Sequence, residues 1–213
     1  MKYIKEYVSA LLAGFIIAIG GCVYLSAESK ALGACLFTIG LFIICTMGLN
    51  LFTGKVCYIF DHIGGKKSDG VMPYGVLLVI IWLGNLSGTV LAGLMLRLTR
   101  IAPAITEKAA ALCETKLSDD PLSIVVLAFF CNVLIYLGVE SFKNVPHELG
   151  KYLALFLAIM VFILCGFEHC VANMFYFTAA GAWSLRAAAY LLLMTLGNGL
   201  GGLFFPVLRK VMK

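Results

Sequence analysis

The stretch Gly166-Phe167-Glu168-His169-Cys170-Val171-Ala172-Asn173 sets an acid and an imidazole side by side inside an apolar run that extends from Tyr152 to Ala180. That run exceeds the roughly 20 residues a helix needs to cross about 30 Å of hydrocarbon. An ionisable group buried in lipid costs about 2.5 kcal/mol or more unless it is paired or faces water. Irregular backbone at that depth is tolerated only inside protein or along a water-filled cavity. The stretch therefore reads as an interrupted transmembrane helix with its polar residues turned inward. On spacing alone two roles stay open for His169, a pore residue or a hydrogen-bonded packing residue, and Glu168 could serve as a cap or as a partner within the bundle.

The composition around it points the same way. Of 213 residues, 62% are hydrophobic and 13% are charged, and the mean hydropathy is +1.01. A soluble domain is about half apolar and roughly a quarter charged, so this chain cannot cover itself with a polar surface. Its apolar runs are continuous rather than alternating, which excludes an outer-membrane barrel. The net charge of +5 is scattered through connections and tails, with no basic stripe, so no nucleic-acid partner is indicated. Most of the eight cysteines lie inside apolar runs, where Cys behaves as a small hydrophobe. No Cys-x-x-Cys pair occurs, so neither a redox motif nor a zinc site is implied. No metal or cofactor is expected, and no enzymatic reaction.

Six apolar segments follow, at about 7–27, 31–60, 74–96, 122–139, 152–180 and 185–207. The second and fifth are too long for simple spans and carry polar or glycine interruptions. The first could be a signal peptide, with Lys2 and Lys5 before it, but Ser26-Ala27 is a weak cleavage signal. With the N-terminus inside, ten Lys and Arg lie on the cytoplasmic side, among them Lys2, Lys5, Lys55, Lys66, Lys67 and Lys143. Six lie on the other, Arg97, Arg100 and Lys116 among them. The bias predicts both termini in the cytoplasm and a multi-pass protein of the cell membrane, inner or plasma. The connection at 99–120 is read as loop around Cys113, with a short surface helix over 104–112. His62 and His147 read as solvated loop residues, and Lys66-Lys67 beside Gly64-Gly65 as a cytoplasmic loop. Trp82 and Trp183 suit interfacial anchors, and Phe175, Tyr176 and Phe177 suit packing.

The halves echo one another. Leu83-Gly84-Asn85 in the third segment matches Leu196-Gly197-Asn198 in the sixth, and Gly48-Leu49-Asn50-Leu51-Phe52-Thr53-Gly54 in the second stands where Gly166 to Asn173 stands in the fifth. Three spans per half force opposite topologies on the halves. The expected fold is an all-α membrane protein of six transmembrane helices in a 3+3 inverted repeat, with the second and fifth spans broken near the midplane. One transmembrane domain covers 1–213, with repeat halves at about 5–98 and 121–209. Gly48, Gly54 and Gly166 are the candidates for backbone freedom at the breaks. The Gly-Asn motifs read as helix-packing devices with Asn as interhelical glue.

At these residues the chain resembles the formate/nitrite transporter family. Gly166 to Met174 is similar to the family's fifth-span signature, Leu51-Phe52-Thr53-Gly54 to its second-span loop, and Cys131-Asn132 and both Leu-Gly-Asn motifs follow in the expected order. The resemblance implies an aquaporin-like fold and a homopentamer whose protomers each carry a pore. It implies small monovalent anions of weak acids as substrates: formate or nitrite first, hydrosulfide as the alternative within the family. It makes His169 the central pore histidine and Thr53 the hydroxyl facing it. Leu51, Phe52 and Phe162 become constriction residues, and Glu168, Asn173, Gly54 and Gly166 support the pore. Many members carry a basic residue just before the Cys-Asn of the fourth span, whereas Val125 to Phe130 are uncharged here.

The mechanism so implied is passage as a neutral acid. A bare carboxylate cannot cross an apolar constriction cheaply, so a proton from His169 or from the vestibule neutralises it, with membrane lipid and protons as the remaining partners. Glu168 is expected to hold backbone N–H groups of the break rather than line the pore, and Asn50 is assigned no role. A neutral-solute channel of the aquaporin kind is the rival, although Asn-Pro-Ala is missing: Met174 follows Asn173 and Gly199 follows Asn198. A haem or metal protein is a weaker one, since only His169 lies deep in a span.

Overall fold

A computed structural model describes residues 2–62 and 71–212, all helix and connections. The Gly64 to Lys67 stretch read as a cytoplasmic loop lies outside the described residues. The helices are α1 (Lys2–Ser26), α2 (Lys30–Phe37), α3 (Ile39–Met47), α4 (Phe52–Val56), α5 (Val71–Arg97), α6 (Ala102–Ser118), α7 (Pro121–Asn144), α8 (Glu148–Leu164), α9 (Cys170–Ala180) and α10 (Leu185–Val211), with one 3-10 turn at Ile59–His62. At about 1.5 Å per residue, α1, α5, α7 and α10 each reach about 36 Å or more, enough to cross a bilayer.

The sequence sets where these helices start and stop. Asp120 caps α7 through its carboxylate, with Pro121 at the first helical position. Ser29 and Ser184 cap α2 and α10. The stops at the two interruptions are built from glycine. Gly48 and Gly166 sit at φ 65° and 72°, where a side chain would be strained. After each, a backbone N–H reaches back five residues: Leu49 to the Ile44 carbonyl and Phe167 to the Phe162 carbonyl, both at 2.9 Å. These are paired Schellman ends. Gly54 does not share this role: it lies inside α4 without a positive φ. The breaks thus rest on Gly48 and Gly166.

Two close helix crossings frame the breaks. On α5, Gly84 and Gly88 lie against the carbonyls of Tyr7 and Leu11 of α1; on α10, Gly197 and Gly201 lie against those of Val125 and Phe129 of α7. A Cβ at any of the four would overlap backbone. Small residues spaced by four let helices approach this closely in lipid. The carbonyl partners are offset by a constant 118 residues (7 to 125, 11 to 129), the glycines by 113 (84 to 197, 88 to 201).

Helix α6 departs from the expected surface helix. It runs to Ser118 and buries Ile105, Ala109, Cys113 and Lys116. Those positions recur at helical spacing and form one face, which packs on α9, where Thr106 Oγ1 donates to the Ala179 carbonyl at 3.2 Å. Cys113 is therefore in a helix, buried, rather than in a loop. Trp82, read as an interfacial anchor, lies within α5, where its indole N–H donates to Thr195 Oγ1 at 3.1 Å and ties α5 to α10. His62 is half-buried and stacks on Tyr74 with 4.0 Å between ring centroids, so it is not the solvated loop residue expected. His147 is exposed.

Candidate functional site

Each break leaves backbone groups without helical partners, and each is tied down by one asparagine. Asn85 Oδ1 accepts from the Phe52 N–H at 2.9 Å, while its Nδ2 donates to the carbonyls of Ala10 and Asn50 at 2.7 and 3.0 Å. Asn198 Oδ1 accepts from the Cys170 N–H, and its Nδ2 donates to the carbonyls of Ala128 and Glu168, all at 2.8 Å. The partners again differ by 118 residues (10 to 128, 50 to 168, 52 to 170). Both asparagines are fully buried. The Asn of each Leu-Gly-Asn motif is thus an anchor for broken backbone, beyond the packing role expected of it. A third buried amide, Asn132, donates to the carbonyls of Thr53 and Asn198 and links the two breaks.

So anchored, the breaks meet. Leu51 and His169 occupy the same place, the N-cap residues of α4 and α9. Thr53 Oγ1 and His169 Nε2 lie 3.0 Å apart. His169 Nδ1 accepts from the Ala172 N–H at 3.1 Å. An acceptor at Nδ1 puts the proton of the neutral ring on Nε2, so Nε2–H donates toward Thr53. Phe162 lies over the imidazole with 5.9 Å between ring centroids. His169 and Phe162 are each 3% exposed, and Thr53 is fully buried. Phe52 contributes its N–H to the Asn85 anchor and lines neither of the cavities described next.

Two cavities approach this contact. The larger, about 550 Å³, is bounded by Glu6, Lys55, Tyr58, Tyr74 and Lys143 and reaches Leu51 and Gly54. The smaller, about 50 Å³, is bounded by Tyr24, Lys116, Phe162, His169 and Asn173. Glu6 and Tyr24 lie near opposite ends of α1, about 27 Å apart along the helix, so the cavities enter from opposite ends of the bundle. Leu51 closes the first, Phe162 and His169 wall the second, and Thr53 stands between them.

Glu168 does not hold backbone N–H groups as expected. Its Oε2 forms an ion pair with Lys116 Nζ and accepts from Asn173 Nδ2 at 2.8 Å. Asn173 also donates to the His169 carbonyl at 3.0 Å. The carboxylate belongs to a residue 3% exposed, and both of its side-chain partners fall on Oε2. The backbone duty went to Asn198 because its amide carries both a donor and an acceptor, which a carboxylate lacks.

The sequence profile of the formate/nitrite transporter family matches residues 1–212. The chain belongs to this family. It is 29% identical to the formate channel FocB of Escherichia coli, over 81% of the chain and 65% of that protein. It is 28% identical to the nitrite transporter NirC of Salmonella typhimurium, over 93% and 79%. A solved pentameric formate channel with formate bound superposes with a TM-score of 0.84 at 24% identity, covering 99% of this chain and 97% of that one. The chain spans less than two thirds of the length of some relatives, FocB among them.

Membership makes the chain an integral membrane protein of a transporter family rather than an enzyme. Within the formate/nitrite transporter fold, the sequence pointed to His169, Thr53, Leu51 and Phe162, gave Asn85 and Asn198 only a helix-packing role, and left Lys116 and Asn50 without one. Lys116 carried a signal: it continues the spacing of Ile105, Ala109 and Cys113 on one helical face. Asn50 stands 118 residues before Glu168 and likewise holds a side-chain partner, Glu6.

Proposed function

We propose that this protein is a channel of the cell membrane for small monovalent anions of weak acids, formate or nitrite first, which pass the centre as the neutral acid. The observation that carries this reading is the Thr53–His169 contact, a hydrogen-bonded imidazole in a dry septum between two cavities. A carboxylate-sized ion would lose its hydration there at a cost of many kcal/mol; a neutral acid needs only hydrogen bonds. The Nε2–H of His169 and the hydroxyl of Thr53 supply one donor and one group that both donates and accepts. Because Nδ1 is held as an acceptor by the Ala172 N–H, a second ring proton would set two donors against each other. The neutralising proton therefore comes from the vestibule water, and His169 acts as a hydrogen-bond donor rather than as the proton's source. Leu51 and Phe162 keep water out, and ionisation on the far side completes the passage.

Six spans in a 3+3 inverted repeat fit the paired breaks and their constant offset, with both termini cytoplasmic by the Lys and Arg bias. The chain acts as one domain with halves at about 5–98 and 121–209. A homopentamer follows the architecture of the pentameric formate channel that the fold resembles.

Purified protein in liposomes tests this. Efflux of formate, nitrite, hydrosulfide, acetate and lactate is followed at two pH values a unit apart, with water permeability measured alongside. Small-anion flux that rises with acidity, toward the about tenfold change in neutral acid per unit, is expected. Water flux without anion flux would favour the neutral-solute channel.

A further inference from the structure

The larger cavity carries a carboxyl beside the septum. Glu6 of α1 and Leu51 both line it. Glu6 Oε2 accepts from Asn50 Nδ2, and Asn50 immediately precedes Leu51. Asn50 is itself held on both sides: its N–H donates to Ser9 Oγ at 3.1 Å, one turn along α1 from Glu6, and its carbonyl accepts from Asn85. The half-buried carboxyl is thus fixed next to the constriction, and its Oε1 has no hydrogen bond among the described residues. The other half is built differently. The offset of 118 residues sets Ile124 where Glu6 stands and Glu168 where Asn50 stands (6 to 124, 50 to 168). There the acid belongs to the break and pairs with Lys116; here it belongs to α1 and faces a cavity. The remaining titratable groups of this wall are Lys55, Tyr58, Asp61, His62, Tyr74 and Lys143. Both tyrosine hydroxyls are already engaged, Tyr58 with Glu140 and Lys143 and Tyr74 with the Lys55 carbonyl. At about 550 Å³ the cavity has room for a dozen or more waters at about 30 Å³ each.

We infer that Glu6 is the proton donor to the substrate on this side of the septum. The water of the vestibule supplies the proton through it. Two carboxylates brought together bind one proton between them, because both cannot stay ionised at close range. An anion arriving at Leu51 therefore draws a proton from water onto the pair. Oε2 is held as an acceptor by Asn50, so the proton sits on Oε1. The Oε1–H bond breaks, an O–H bond forms on formate or nitrite, and Glu6 is left as the carboxylate. The neutral acid moves on past Leu51 to Thr53 and His169, and water reprotonates Glu6 when the next anion arrives. In the opposite direction the emerging acid returns its proton to the Glu6 carboxylate.

This inference rests on the transport reading above, and the experiment separates the two. Formate efflux from weakly buffered liposomes is measured for wild type, Glu6→Gln and Glu6→Ala, without and with rising imidazole as an added proton carrier. Glutamine keeps an oxygen for the Asn50 amide and loses only the acid; Glu6→Ala, which changes a water-filled wall rather than packed core, reports if the first variant fails to assemble. A proton-donating role predicts a fall of about tenfold or more in both variants, less than the full effect of a positioned acid because water still serves. It predicts that imidazole restores the flux of the variants and leaves wild type unchanged. Flux that rises or stays at the wild-type level in the variants, or a fall that imidazole does not reverse, would overturn the role of Glu6 and leave transport standing. Wild type without any formate or nitrite flux would overturn both.

Discussion

Replacing Asn198 with alanine removes three buried hydrogen bonds at once, to the Cys170 N–H and to the carbonyls of Ala128 and Glu168, each at 2.8 Å. The Cys170 N–H is the sharpest loss, since it heads α9 and has no helical acceptor. A buried donor left unsatisfied costs about 1–3 kcal/mol. Side-chain bonds between helices in lipid are worth about 0.6 kcal/mol on average and at most about 1.7. Adding one orphaned donor to two weakened carbonyl contacts gives about 2–4 kcal/mol. Asn85→Ala removes the matching set in the other half, so its cost falls in the same range and the two agree within about 1 kcal/mol. Unfolding in mixed micelles, followed by tryptophan fluorescence, measures both. Asn144→Ala is the control: its amide bonds only to Glu140 on its own exposed helix end, and its cost is about 0.5 kcal/mol or less. Asn198→Ala within about 0.5 kcal/mol of wild type, the usual scatter of surface mutations, would refute the view that single asparagines hold the breaks.

Two further outcomes follow from the geometry. Gly201→Ala destabilises by about 1–3 kcal/mol, since its Cβ meets the Phe129 carbonyl and α10 must move off α7; Gly199→Ala, with open space at its Cβ, is neutral or stabilising by up to about 1 kcal/mol, and the same unfolding assay compares them. Phe162→Ala removes the ring stacked over His169 and widens that wall, so acetate and lactate flux rises relative to formate in liposome efflux; an unchanged ratio places the constriction elsewhere.

The long apolar helices and the two breaks were legible because lipid imposes strong rules on sequence. Apolar length set the helices, and Gly48 and Gly166 marked the stops, as φ-positive turns require. The His169 and Thr53 pair was reached through motif resemblance; nothing in local spacing joins residues on separate spans. Gly54 misled because a glycine beside a break looks like the break, whereas the turn lies six residues earlier. Lys116 was hidden because a charged residue in a connection reads as solvent-facing. Only the burial of its α6 face, through Ile105, Ala109 and Cys113, turns it inward. Glu168 was assigned to backbone because its true partner came from that overlooked helix.

The central claim is that a small weak acid crosses the septum against the His169 imidazole. Formate and nitrite flux through His169→Phe in liposomes tests it most directly. Phenylalanine keeps an aromatic ring against Phe162 and removes Nε2–H, while Asn198 still anchors Cys170. The account predicts an assembled oligomer of wild-type size by size exclusion and a fall in flux of about 100-fold or more, the scale set by leaving a polar solute without its donor in a dry passage. An assembled His169→Phe oligomer that passes formate and nitrite at the wild-type rate would contradict it.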